Sequence, residues 1–443
     1  MNTQTRWKPS VFNNSLKGAD RSSWFNSRSS CLFSLDNATS RILELTLAEF
    51  AEVGHCPSDA LRDHLSALGL IVPEHLNEYA GEQLAFQERL QSRDTLKVII
   101  APTMACNLRC TYCFQQNLRK SHTFDTAIQS GIVELVRRMA PGIRLLIVQW
   151  FGGEPLLAWR QIREMTAEFQ KICHEIQADY YAELLTNGTL LTSDKIADLD
   201  RLAVRALQLP LDGSVATYAE RKQIGLDRAI EFHRFIAGNL QSIVDKTGSV
   251  TIRVNVDRDN PDGGKEVVRM IRAGGCVDPR IDFRLGFLNT SRGVIDCIPH
   301  DCFSPVEFSE VENDFRRFLA AQGYRVFGRP ERRKFPCSAP AANSFTVDPR
   351  GRIGKCVPSI GTDSSVFAQI YPGDPERTLA EMKNAAVPLG NFDPFAAGPC
   401  RGCSLLPACL GSCPKMHQPG ATFKCSMKPG LRERLAFYAE TSA

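Results

Sequence analysis

Between residues 95 and 285, short apolar runs alternate with helix-length amphipathic stretches, and this rhythm restricts the fold more than any other feature. Strand-like runs fall at 96–101, 145–151, 181–185, 206–211, 250–256 and 281–285. Helical periodicity fills the gaps, for example at 127–139, 162–176, 226–235 and 265–273. Two parallel neighbours need a crossover of a dozen or more residues, usually a helix. The spacing therefore predicts α/β architecture: successive βαβ units with right-handed crossovers, forming a curved sheet or partial barrel of six strands. In such sheets chemistry gathers at the carboxyl ends of the strands.

The flanks have different patterns. Residues 1–92 form a first unit, with a hairpin over 24–35 and a helix capped at Asp36-Asn37. A second helix, capped by Ser58 and stopped by Gly69, leads into a strand at 70–72. This order resembles a small winged-helix unit. Residues 1–95 carry 9 basic and 12 acidic side chains, so a peptide or protein suits this unit better than DNA. After the core, 301–335 reads as a linker helix with a basic connector, 336–428 as a Pro-, Gly- and Cys-rich segment, and 429–443 as a closing helix. A segment with so little periodic apolar content needs staples, which bound metal can supply.

Cysteine usage fixes what those staples are. The chain has 16 cysteines and only 8 histidines in 443 residues. No apolar stretch near the N-terminus resembles a signal peptide, and no run approaches membrane-spanning length. The expected compartment is a reducing cytoplasm, with no membrane partner, where clustered cysteines bind metal or do chemistry. With 53 basic against 49 acidic residues, the net charge of +4 is too small for a broad nucleic-acid or membrane footprint. Cys31, Cys56, Cys173, Cys276, Cys297 and Cys302 are scattered and read mostly as small buried hydrophobes.

The remaining ten form two groups. Cys106, Cys110 and Cys113, separated by three and then two residues, follow the first core strand. Three thiolates can hold three irons of a cubane and leave the fourth open. A structural zinc site needs four ligands, and no neighbouring Cys or His obviously completes this one. The second group is Cys337, Cys356, Cys400, Cys403, Cys409, Cys413 and Cys425. Seven thiols do not divide into closed four-thiolate sites, although Cys400 to Cys413 alone could close one around zinc.

The first cysteine motif, with the aromatic Tyr112 before its third thiol, resembles the radical S-adenosylmethionine (SAM) superfamily. Later strand ends carry supporting motifs. Gly152-Gly153-Glu154-Pro155 resembles the family's motif for the SAM ammonium, and Thr186-Asn187-Gly188 its segment near the ribose. Leu211-Asp212-Gly213 resembles a segment of the peptide-modifying branch, and Asn255 matches a SAM-contacting Asn. That branch often places a His shortly after the Asp; here the position falls near Tyr218, followed by Arg221. The C-terminal order of cysteines is similar to the SPASM signature throughout.

The resemblance implies a partial (β/α)6 TIM-like radical SAM barrel over 93–300, preceded by the winged-helix-like domain and followed by an iron–sulfur SPASM domain. It implies a [4Fe-4S] cluster on Cys106, Cys110 and Cys113 that binds exchangeable SAM through its open iron. Reductive cleavage would give a 5′-deoxyadenosyl radical that abstracts hydrogen from a peptide. Two auxiliary [4Fe-4S] clusters would take Cys337, Cys356 and Cys413, and Cys400, Cys403, Cys409 and Cys425. Some relatives supply a fourth ligand to the first of these about six residues upstream of its first cysteine; Glu331 stands there, leaving an open iron or a ligand borrowed from Cys302 or Cys297. Implied partners are a precursor peptide or protein and a flavodoxin- or ferredoxin-type electron donor.

The reading favoured is maturation of a ribosomally made peptide by a thioether or C–C/C–O crosslink. An alternative is formylglycine formation, as in anaerobic sulfatase maturases, but Val357 replaces the acid those relatives place after the second SPASM cysteine. A zinc-stabilised binding scaffold without catalysis is the alternative of another class. Asp212, Tyr218 and Lys355 are the candidate bases.

Overall fold

Alternation within each core strand decides which side meets helices and which side is left for chemistry. The structure, a computed structural model, describes residues 5–55, 58–115, 118, 122–287, 302–334, 337–363, 366–396, 398–421, 423, 425 and 427–441. The chain divides into two compact units. One combines residues 1–90, 328–337 and 392–443, and the other combines 91–327 and 338–391. The division at 391/392 runs through the cysteine-rich segment.

The first unit begins with β1 (Trp7–Pro9), β2 (Asn13–Lys17), β3 (Arg21–Asn26) and β4 (Leu32–Asp36), followed by α1 (Asn37–Val53), α2 (Asp59–Ala67), β5 (Ile71–Pro73) and α3 (Glu78–Gln91). β2, β3 and β4 form an antiparallel sheet, while β1 pairs separately with β5. The expected hairpin is β3–β4, where Trp24 lies opposite Phe33. Asp36 caps α1 by accepting from the Thr39 amide at 2.9 Å, and Ser58 caps α2. Trp24, Leu47, Phe50, Leu65, Leu70 and Ile71 make the core.

The sequence pattern missed α3 because its buried face begins with two acids, Glu78 and Glu82, before Phe86 and Leu90. Glu78 accepts from Ser10 Oγ at 2.7 Å, and Glu82 pairs with Arg28 and Arg332. Tyr79 and Phe86 pack on Phe395 of the C-terminal segment, and the C-terminal helix (Leu431–Thr441) lies on β3 and β4.

The second unit contains β6 (Thr95–Ile100), α4 (Thr126–Met139), β7 (Leu145–Trp150), α5 (Trp159–Ile176), β8 (Asp179–Leu185), α6 (Ser193–Asp198) and β9 (Val204–Pro210). It continues through α7 (Val215–Lys222), α8 (Leu226–Thr247), β10 (Val250–Val256), α9 (Gly263–Ala273), β11 (Ile281–Phe287) and α10 (Pro305–Ala321). After these come β12 (Ser344–Val347), β13 (Arg352–Gly354), β14 (Val366–Gln369) and α11 (Pro375–Asn384). The sheet has nine strands in the order β11-β10-β9-β8-β7-β6-β12-β13-β14. The six expected strands are consecutive and parallel. β12 extends them in parallel beside β6, and β13 and β14 add an antiparallel edge. Those three strands and the short α6, α7 and α11 lie where the sequence carries little periodic signal.

Leu96, Val98, Ile100, Val148, Trp150, Leu184, Leu209, Ile252, Val254 and Phe283 join helix residues such as Leu135, Phe169, Ile236 and Val267 in one core. Their alternates therefore occupy the opposite face. That face mixes apolar residues such as Ile99 and Ile147 with charged and polar ones: the Lys97 ammonium lies 2.9 Å from Glu183, which also accepts from Gln149 at 2.8 Å. A parallel sheet is normally apolar and covered on both faces. Among the described residues no helix is long and apolar enough to cross a membrane.

Ile252 is fully buried between β10 and the helices. Its replacement by Ala is expected to cost about 2–5 kcal/mol, seen as a lower urea midpoint.

Candidate active site and cysteine clusters

The carboxyl ends of β6 to β10 assemble the site through backbone contacts before any side chain acts. The segment leaving β7 is laid against the segment leaving β6: the Gly153 amide donates to Thr103 O at 3.0 Å and the Glu154 amide to Ala105 O at 2.9 Å. A Cβ on Gly153 would lie 2.2 Å from Ala105 O, so only glycine permits this approach. The cysteine loop is then tied to the end of α7. Arg109 and Thr111 amides donate to the carbonyls of Lys222 and Arg221, at 3.3 and 2.9 Å. Terminal helix carbonyls lack partners in their own helix, and here the loop supplies them.

Asp212 is completely buried and holds the loop from below. One carboxylate oxygen accepts from the Asn255 amide at 3.0 Å and its side chain at 3.1 Å. The other meets the Lys222 ammonium at 2.7 Å and the Tyr112 hydroxyl, which also bonds Lys222. Burial opposes the charge on Asp212, but the Lys222 ammonium and its hydrogen bonds outweigh that and hold its pKa below the ordinary range. Burial likewise opposes the Lys222 charge, and Asp212 with its neighbours holds that pKa well above the usual amine value. A second buried pair, Arg221–Asp257 at 2.5 Å, lies alongside, with Arg221 also donating to Asn255 O at 2.8 Å.

Several expectations change. Glu154 is buried and already accepts from Leu156 N at 2.9 Å, Thr186 Oγ1 at 2.7 Å and Asn187 N at 2.8 Å. Its direct role is to join the ends of β7 and β8, which fixes Thr186 and Asn187. Asn187 reaches Cys106 Sγ at 3.8 Å and Asn107 Oδ1 at 2.9 Å. Tyr218 lies in the helix-side core, stacked on Phe232 with its hydroxyl buried, so its placement gives a packing role and no exposure to substrate. Asp212 is engaged by Lys222 and Tyr112 and likewise presents no free carboxylate. Lys355 is buried and donates to Ala341 O and Ser344 O at 2.7 and 2.6 Å, and burial pushes its pKa down to about 8. Lys222 and Arg221 were missed as site residues. The available signal was a basic pair on a short helix directly after an acidic strand end.

Two sets of thiols perturb one another electrostatically. Burial pushes the Cys110 pKa up to about 11; Lys222 pulls it down, while Cys113, Asp212 and Cys106 push it further up. Cys110 is therefore within electrostatic reach of both Cys106 and Cys113. In the other unit, burial pushes Cys400 up to about 12, reinforced by Cys409, Cys403 and Cys425. Cys409 is raised by burial and by Cys403 and Cys425, against a Gly411 amide bond and Arg333. Among the described residues no group of three or more His, Cys, Asp or Glu is placed to hold a single metal ion. A cubane asks for something different, one thiolate at each of several irons. Cys337 and Cys413 belong to the first unit and Cys356 to the second. Cys302 is half-buried, and Cys297 lies outside the described residues.

Residues 100–239 match the Radical SAM superfamily, and the chain carries a radical SAM domain. It is 28% identical over 189 residues to a GTP 3′,8-cyclase of Chlorobaculum tepidum, covering 41% of this chain and 50% of that one. It is 30% identical over 121 residues to a PqqA peptide cyclase of Gluconobacter oxydans, covering 27% and 31%. The chain thus spans half or less of the length of these curated relatives. The structure of anSMEcpe with bound AdoMet and a peptide superposes with a TM-score of 0.57 at 17% identity, covering 79% of this chain and all of that one. At that identity the likeness concerns the fold.

Two outcomes follow. Lys222→Met strands the Asp212 charge and is expected to cost about 3–5 kcal/mol, part of which Asp212→Asn restores in the double variant, read by thermal unfolding. Burial pushes the Glu154 carboxyl up to about 7 despite its Thr186, Leu156 and Asn187 bonds and the Lys195 charge. The folded state then binds this proton more tightly than the unfolded chain, so the group's contribution to stability falls as pH rises from about 4.5 to about 7. Glu154→Gln lacks that titration, and the Tm difference between wild type and variant is expected to favour wild type more at about pH 5 than at about pH 8.

Proposed function

We propose that this protein is a radical SAM enzyme that oxidatively modifies a peptide substrate, most simply a ribosomally made precursor peptide. The observation that carries the reading is the cysteine loop itself. Cys106, Cys110 and Cys113 lie together at the carboxyl end of β6, suspended from α7 and from the Asp212–Lys222–Tyr112 triad. The radical SAM domain, a peptide cyclase among the relatives and a peptide-bound fold neighbour all support it.

In this reading Cys106, Cys110 and Cys113 hold the SAM-binding [4Fe-4S] cluster. When bound, that cluster supplies the electron for reductive cleavage of SAM, the source of the hydrogen-abstracting radical. Gly152 and Gly153 let the segment leaving β7 lie against the backbone that leads into the cysteine loop, and Glu154 holds Thr186 and Asn187 at the rim. Asn255, fixed by Asp212, faces the same side. Lys222 neutralises the buried Asp212 carboxylate at the end of β9, and both bond Tyr112, which stands between Cys110 and Cys113 in the loop. Cys400, Cys403, Cys409 and Cys425, electrostatically coupled as described, are assigned one auxiliary cluster, and Cys337, Cys356 and Cys413 the other. The auxiliary clusters would receive the electron left on the substrate, and the first unit would hold the peptide.

Anaerobic reconstitution tests this. The wild-type protein is expected to bind about twelve irons and to release 5′-deoxyadenosine from SAM with a strong reductant. Replacing Cys106, Cys110 and Cys113 by Ala should remove about four irons and abolish 5′-deoxyadenosine. Colourless, iron-free protein with bound zinc would instead establish a structural scaffold.

A further inference from the structure

The buried ion pair beneath the cysteine loop leaves one donor unaccounted for. An ammonium carries three N–H groups. Lys222 has Asp212 at 2.7 Å for one of them and the Tyr112 hydroxyl for another. Among the described residues no third oxygen accepts from it, and at 1% exposure it is out of reach of bulk water. A buried ammonium needs a substitute for the hydration it has lost.

What Lys222 meets next is an aromatic ring. Its Nζ lies over Tyr218, 5.3 Å from the ring centroid, within the ~6 Å at which a cation and an aromatic face attract. The two residues are four apart on α7, so the helix itself puts them on one face. Tyr218 is fully buried and held by Phe232, stacked with centroids 5.3 Å apart, and by His233, T-shaped at 4.8 Å. Burial pushes the His233 pKa down to about 4, against the pull of Asp212, so near neutral pH it adds no second cation beside the ring. The Tyr218 hydroxyl is buried with no hydrogen-bond partner among the described residues, which costs stability. The part of Tyr218 that reaches the ion pair is its ring, not its hydroxyl.

We propose that Tyr218 is a positioning residue for the cysteine loop: its ring takes the third N–H of Lys222 and so aims the ammonium at Asp212 and Tyr112. The effect passes outward through Lys222, which holds the loop twice. Its carbonyl accepts from the Arg109 amide at 3.3 Å, and its ammonium bonds Tyr112, between Cys110 and Cys113. The neighbouring Arg221 carbonyl takes the Thr111 amide at 2.9 Å. An ammonium without the ring has a wider range of directions, and the side-chain tie to Tyr112 loosens first. The value of this to catalysis rests on the reading of the loop as the holder of a cluster, but the contact itself does not.

Hydrogen exchange of full-length protein, read by mass spectrometry, tests the role. The segment from Arg109 to Cys113 reports the loop, because its Arg109 and Thr111 amides are bonded to α7. Tyr218→Met removes the ring and is expected to speed exchange of this segment about tenfold, while β7 and β8 exchange as in wild type. Tyr218→Phe keeps the ring and should match wild type, with an equal or higher Tm. Phenylalanine carrying one, two or three ring fluorines at position 218 withdraws charge from the ring face with little change of shape. Exchange of the loop should rise stepwise along that series. In Asp212→Asn/Lys222→Met, which has no ammonium to hold, Tyr218→Met should add nothing to loop exchange.

Loop exchange that ignores fluorination would overturn the proposal, and the fluorinated series decides this even where Tyr218→Met does not fold. Equal acceleration of the loop, β7 and β8 in Tyr218→Met would reduce the ring to a core filler. A loop loosened by Tyr218→Phe would assign the role to the hydroxyl instead, and a further effect of Tyr218→Met in the absence of Lys222 would remove the ammonium from the account. Exchange is read without SAM cleavage, so failure here is distinct from failure of the radical SAM reading.

Discussion

The candidate site depends on one buried ion pair. Asp212 at the end of β9 and Lys222 at the end of α7 are both out of water, and neither would be tolerated alone. Through its other contacts Asp212 joins Asn255 of β10 and Tyr112 of the cysteine loop, so one carboxylate registers three parts of the site. Arg221–Asp257 repeats the arrangement one residue earlier on the same helix. Such pairs add little net stability over a well-packed apolar contact, but here each cation is held by two acceptors at once, Lys222 by Asp212 and Tyr112 and Arg221 by Asp257 and Asn255 O, which fixes its position. A loop that must present three thiols to a cluster needs that definition more than it needs extra stability.

Much of the core was legible because parallel strands obey strict rules. Six apolar runs separated by helix-length segments admit few topologies, and the observed order of β6 to β11 follows the chain without interruption. The strand-end motifs also fell where they were expected. What could not be read was the reach of each side chain. Glu154 looked available for an ammonium, yet three protein donors already occupy it. Tyr218 looked like a substitute for a catalytic His, yet helical phase turns it toward Phe232. Spacing reports which residues share an end of the sheet, but not which face of a short helix meets the core.

The flanks were harder for a different reason. α3 buries two glutamates that are matched by arginines from elsewhere in the chain, so apolar periodicity underestimates it. β12 to β14 are three or four residues long and lie among glycines and prolines, where no period can establish itself. The face of the sheet away from the helices shows the same limit. Arg253 and Arg284 are 31 residues apart in sequence, and only the register of β10 against β11 makes them neighbours.

The first unit is assembled from three separate stretches of chain, and this has a consequence for how the protein is made. The Tyr79 hydroxyl accepts from the Gly402 amide at 2.8 Å, Ser27 donates to Ser404 O at 2.5 Å, and Phe86 lies against Phe392. During synthesis the first ninety or so residues leave the ribosome well before those partners exist. At about 5–20 residues per second, the delay is on the order of 15–60 s. For that interval Phe86 lacks the Phe392 and Phe395 rings and Tyr79 keeps Phe12 but lacks Phe395, while the strand-and-helix core forms from sequence neighbours as it emerges. The earliest part of the chain to be translated is thus among the last to be completed.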